Sequence, residues 1–115
     1  MKKELINIYE RLIELSDLNI QQKLWLNINN STGYISSYDE LMCSLFDDLN
    51  FDNFIDELAT NLGFSQKIIA ELNVLRGLLK NYENINSDKL ILEDPKWRKI
   101  IEQGKLVIKL WPKEK

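Results

Sequence analysis

Three features of the sequence predict an all-α fold, a compact bundle of about five to six short helices with short connections. Apolar residues recur at three- and four-residue spacing along most of the chain. Ser, Asp and Asn interrupt those runs at positions that suit helix caps. No alternating apolar run lasts long enough for a sheet.

The elements follow in order. Over Lys2 to Leu18, the stripe Leu5, Ile8, Tyr9, Leu12 and Leu15, widened by Ile6 and Ile13, predicts a first helix. Asn19 suits the cap of a second, Ile20 to about Ile28, carrying Leu24, Trp25 and Ile28. Asn29-Asn30-Ser31-Thr32-Gly33 then breaks the chain. Ser37-Tyr38-Asp39-Glu40 has capping-box spacing, which would let Ser37 Oγ accept from the Glu40 amide and the Glu40 carboxylate accept from the Ser37 amide. It opens a third helix, Tyr38 to about Asp48, burying Leu41, Met42, Leu45 and Phe46. Asp52 suits the cap of a fourth, with Phe54, Ile55, Leu58 and Leu62 inward and Gly63 at its stop. Ser65 starts a fifth along Ile68, Leu72, Leu75, Leu79 and Tyr82. Asp94-Pro95 starts the last, because Pro suits the first helical position. Trp97, Ile100, Ile101, Gly104, Val107 and Trp111 gather along it before Pro112 ends it. Leu90-Ile91-Leu92 reads equally as a helical turn or a short extended piece. A length of 115 residues and 44% hydrophobic content suit one core, expected over 1–112, with a frayed tail at 113–115.

Composition also predicts location. No run approaches the ~18 apolar residues of a membrane span. The N-terminal pattern is broken by Asn7, Glu10 and Arg11, unlike the continuous apolar core of a signal peptide. Cys43 is the lone cysteine, so an internal disulfide is excluded, as suits a reducing compartment. A cytoplasmic monomer is the expectation. Lys outnumbers Arg 12 to 3, and Asn and Ile are abundant, the composition of a bacterial, AT-rich genome.

Chemistry is bounded by what is missing. The chain has no His, the commonest general base and metal ligand. Ser–His and Cys–His nucleophile pairs are therefore excluded, and so are zinc sites of Cys and His. The four glycines are scattered singly, which leaves no phosphate-cradling loop. Cys43 has acidic neighbours, which do not activate a thiol. Asp48-Leu49-Asn50-Phe51-Asp52-Asn53 begins like a calcium loop, and Asp56 suits a later ligand. Asn53 replaces the turn glycine, however, and Ala59 the bidentate Glu, so an inter-helix turn explains the same residues. The expectation is a non-enzyme with no cofactor and no metal.

The charge map is the unusual feature. From Leu24 to Gln66 there is no Lys or Arg, while Asp39, Glu40, Asp47, Asp48, Asp52, Asp56 and Glu57 give that stretch a net charge of −7. Residues 67–115 carry a net +4, and residues 1–23 balance. At ~100° per residue, Glu40 and Asp47 point away from the third helix's apolar stripe, with Asp48 on its flank. Asp56 and Glu57 fall on the outer side of the fourth. A hairpin of these helices would present one acidic face, centred on Asp47, Asp56 and Glu57, with Tyr34 and Tyr38 at its edge. Capping and the macrodipole account for Asp39, Glu40 and Asp52 near helix starts. They do not account for the total absence of cations, since exposed helices ordinarily mix signs. Direct nucleic-acid binding is disfavoured by a pI near 5.0. The face suits a basic protein.

The stretch Ile35-Ser36-Ser37-Tyr38-Asp39-Glu40-Leu41, followed by Phe46-Asp47-Asp48, resembles the immunity proteins of bacterial polymorphic toxin systems, including those of contact-dependent growth inhibition. The closing Asp94-Pro95-Lys96-Trp97 helix is similar in style. The resemblance implies a cytosolic inhibitor that binds a toxin domain, often a nuclease, and blocks its active site or substrate channel. A nucleic-acid mimic acting on a DNA-binding protein, calcium binding at Asp48, Asn50, Asp52 and Asp56, and a structural module self-associating through Trp25, Trp97 and Trp111 are the alternatives.

Overall fold

Helices are the only regular elements among the described residues, 2–83 and 87–112 of the computed structural model, and no strand occurs among them. In chain order they are α1 (Lys2–Leu15), α2 (Leu18–Trp25), α3 (38–48), α4 (51–61), α5 (Gln66–Asn81), α6 (Asp88–Glu93) and α7 (Pro95–Leu110). The all-α bundle is as predicted, with one more helix: Leu90-Ile91-Leu92 resolves as α6, capped by Ser87 Oγ. The tail expected at 113–115 lies outside the described residues.

The α1–α2 junction corrects two boundaries. Ser16 turns its hydroxyl back onto the Leu12 carbonyl at 2.5 Å, and α1 closes at Leu15 rather than Leu18. Asp17, not Asn19, caps α2, accepting from the Ile20 amide at 3.2 Å. At its other end α2 stops at Trp25, because Asn27 and Asn29 take left-handed φ of 56° and 50°. Ile28, expected on the helix, lies in the following loop and is 50% exposed.

The two acidic helices share a second departure from simple periodicity. Ser37 caps α3 as expected, accepting from the Glu40 amide at 3.0 Å. Past Cys43, however, the backbone widens to i→i+5 bonding, so that the Leu49 amide reaches the Ser44 carbonyl at 2.9 Å. α4 widens likewise over Phe54–Leu58. Its cap is Asn50, held at φ 49° and accepting from the Asn53 amide, rather than Asp52. Phe51 is fully buried, while Leu62, expected inward, is 39% exposed. Gly63 ends α4 at φ 85°, as the sequence predicts.

The buried residues form one cluster. α7 lies against both α1 and α5 and supplies Trp97, Ile100, Ile101 and Val107 to it. Trp25 and Trp97 are core residues, which removes them from any self-association surface, and Trp111 is half-buried against Phe54 and Phe64. Gly104 marks the closest approach of α7 to α1: an added Cβ would stand 2.8 Å from Leu15 Cδ2 and 3.0 Å from Ser16 Cβ. Gly77 on α5 faces open space. Gly104→Ala should therefore destabilise by about 1–3 kcal/mol through overpacking. Gly77→Ala should stabilise by roughly 0.5–1 kcal/mol through helix propensity. Urea denaturation of both variants checks the opposite signs.

Candidate functional site

The acidic stretch divides into two groups. Glu40, Asp47, Asp48 and Glu57 are exposed and make no ion pair among the described residues. Asp39 is exposed beside Glu40 in the first turn of α3. Asp52 and Asp56, by contrast, turn toward α5. Arg76 meets Asp52 at 3.1 Å and Asp56 at 2.9 Å, and Lys80 meets Asp52 at 2.9 Å. Asn73 Oδ1 accepts a further bond from the Arg76 guanidinium. Asp56, expected at the centre of a continuous acidic face, is thus a partner of Arg76 and holds α4 to α5. The reason is tertiary: the helix that supplies the cations lies beyond the cation-free stretch in sequence and beside it in space.

The charges answer each other accordingly. The hydrogen bond from Lys80 holds the Asp52 carboxyl below its usual range, helped by Arg76 and opposed by partial burial. Arg76 is raised first by its bond to Asp56 and next by Asp52, against desolvation.

Tyr38 also leaves the expected surface. It is 8% exposed, with its ring centroid 5.5 Å from that of Trp97, 6.0 Å from Tyr82 and 6.4 Å from Trp25. Burial, then the charge of Asp39, pushes its phenol up. Tyr34 remains outside, 73% exposed. Cys43 is exposed on α3. The side chains of Asn50, Asp52 and Asp56 in the partial calcium loop are turned to other partners. Asn50 Oδ1 caps α4, Asp52 and Asp56 face Arg76, and no group of three or more acidic or thiol ligands gathers among the described residues.

The sequence reading missed a buried polar layer beneath the loop before α3. Gln21 is fully buried; its amide donates to the carbonyls of Glu14 and Leu15 at 2.9 and 2.7 Å. Gln21 Oε1 accepts from the Trp97 indole at 3.0 Å. Glu14 is 4% exposed, and its Oε2 accepts from the Trp25 indole at 2.9 Å and the Ser36 hydroxyl at 2.8 Å. The available signal was the indoles themselves, since each buried Trp N–H requires an acceptor. Above this layer Asn30 braces the loop. Its amide donates to Asn27 Oδ1 at 3.1 Å and to the Tyr34 carbonyl at 2.6 Å, and its Oδ1 accepts from Thr32 Oγ1 at 2.6 Å.

Fold and surface together define a class: a small helical protein with exposed carboxylates, unpaired among the described residues, on two consecutive helices. No protein family, curated protein or solved structure matches the chain.

The Asp52 shift gives a pH dependence. A carboxyl whose folded pKa is depressed adds stability above its unfolded value, and that stability is lost as pH falls through the folded one. Arg76→Met should be less stable than the parent at about pH 7, and the gap should narrow toward about pH 2, as Asp52 takes up its proton. Thermal denaturation at both pH values checks it; a gap independent of pH would assign the loss to packing.

Proposed function

We propose that this chain is an immunity-type inhibitor, which binds a basic toxin domain of nuclease class and covers the surface through which that domain meets nucleic acid. The observation that carries the reading is the set Glu40, Asp47, Asp48 and Glu57, exposed within a stretch of 43 residues, Leu24 to Gln66, that holds no Lys or Arg. Asp47 and Asp48 occupy the last turn of α3, where the macrodipole favours cations and the helix has none. Helix stability does not account for them. A nuclease domain needs clustered Lys and Arg to meet phosphates, and such a surface is complementary to carboxylates fixed on helices. The resemblance to immunity proteins points the same way and implies a cytoplasmic setting. Extended nucleic-acid mimicry has less support, since Arg76 and Lys80 withdraw Asp52 and Asp56 from the row of carboxylates.

The experiment mixes the purified chain with any basic protein that a neighbouring reading frame is found to encode. A one-to-one complex by light scattering, with loss of nuclease activity, is the expected result. Asp47→Lys with Glu57→Lys should leave stability within about 0.5 kcal/mol per site, since both positions are exposed. Association should slow, and its rate should depend less steeply on salt. A double variant that associates as fast as the parent at low salt would reduce these carboxylates to a solvated face and sink the assignment.

A further inference from the structure

We infer that the loop 27–35 is a preformed apolar anchor that inserts Tyr34 and Ile35 into a pocket on a basic protein partner, with Glu14 as its buried positioning residue. The inference rests on the reading of a basic partner and adds to it a contact of different chemistry. Tyr34 and Ile35 are neighbours and, at 73% and 74%, the two most exposed of the large hydrophobic residues described, with Ile28 at 50% in the same loop. Clustered apolar exposure on a folded protein marks an interaction site far more often than scattered single residues do.

The loop is held in shape rather than left to find one. Asn30 ties Asn27 to the Tyr34 carbonyl, and Thr32 Oγ1 accepts from the Tyr34 amide at 3.1 Å. Asn27, Asn29 and Gly33 adopt left-handed φ, which makes the tight path possible. At its base the Ser36 amide donates to the Leu24 carbonyl at 3.0 Å. The Ser36 hydroxyl donates to Glu14, whose carboxylate is itself fixed by the Trp25 indole. A loop ordered before binding loses little conformational entropy on binding, and an exposed Tyr on such a loop is a favoured hot-spot residue.

Charge selects the occupant. The loop lies wholly within the cation-free stretch and runs directly into Asp39 and Glu40. A second copy meeting this loop through its own acidic stretch would bring like charges together, and anionic lipid headgroups would meet the same repulsion. A protein with Lys and Arg around an apolar pocket satisfies both the anchor and its acidic border.

The test places the photo-reactive residue p-benzoylphenylalanine at Tyr34 in the producing cells, and at the exposed Leu90 as control. The expected result is one adduct, specific to position 34, with a protein of pI above about 9. With that protein purified, Tyr34→Ala plus Ile35→Ser should weaken binding by about tenfold or more, mostly through faster dissociation. Ser36→Ala should speed both dissociation and hydrogen exchange over residues 28–35, and leave exchange in α5 unchanged. No adduct at 34, an adduct with this chain itself or with an acidic protein, or unchanged dissociation in the loop double variant would each overturn the inference. Asp47→Lys with Glu57→Lys, run in parallel, separates the two ideas. Loss there with none in the loop variant refutes only the anchor; loss in the loop variant alone refutes only the acidic strip.

Discussion

Two indole N–H groups in one small core impose the constraint on which much of this structure turns. Trp97 on α7 and Trp25 on α2 are both buried, and neither can leave its donor without an acceptor except at a cost of about 1–3 kcal/mol. Gln21 and Glu14 supply the acceptors. Having been drawn inside, these polar groups must be satisfied in turn. The Gln21 amide therefore takes two carbonyls at the C-terminal end of α1, groups that a helix end leaves without partners. Glu14 takes the Ser36 hydroxyl, from outside the helices. One set of hydrogen bonds thereby fixes the angle of α1 to α2, the seat of α7 and the base of the loop before α3. The absence of a side chain at Gly104 lets α7 come close enough to α1 for this to happen.

A second arrangement governs the charges. α5 carries Arg76 and Lys80 on the side that meets α4, and they pair with Asp52 and Asp56. These pairs are partly exposed, Asp56 at 57% of its side chain, so solvent screens them and their contribution to stability is modest. Their larger effect is sorting. They separate carboxylates that join helices from carboxylates that face solvent, and only the second group contributes fully to the outward field. A uniform helical wheel does not reveal this division, because it treats each helix alone and because the widened turns in α3 and α4 rotate the residues that follow.

What was legible in the sequence follows the same line between local and tertiary causes. Ser37, Ser65 and Gly63 punctuate their helices as read, because a cap or a left-handed stop needs only its immediate neighbours. Pro95 and the stripes of α5 and α7 were equally plain. Asp17 against Asn19, and Asn50 against Asp52, were contests between two competent caps. In the second, Asn50 caps while Asp52 pairs with Arg76 and Lys80. Tyr38 reads as a surface residue from its place beside the loop, at the edge of the acidic stretch, yet Trp25, Trp97 and Tyr82 surround its ring, from as far as 59 residues away in sequence. Of the candidate surface, Glu40, Asp47, Asp48, Glu57 and Tyr34 keep the exposure read for them. Tyr38 is instead buried among distant rings, Asp52 is drawn to Arg76 and Lys80, and Asp56 stays exposed but is paired with Arg76.

The polar layer and the acidic strip meet at one point, and the meeting has a physical consequence. Long-range charge accelerates encounter, but exposed carboxylates on mobile side chains hold a partner weakly once salt is present. Residence depends instead on buried, shape-fitting contacts. In this chain the groups suited to the two tasks are adjacent: Ser37 caps the helix that carries Glu40 and Asp47, and Ser36 beside it is bonded to Glu14. The same carboxylate that satisfies a core indole therefore sets where the exposed Tyr34 and Ile35 stand relative to the acidic helix. Position at the surface is inherited from hydrogen bonding in the core, so a change at Glu14 would move the exposed loop without touching any exposed residue.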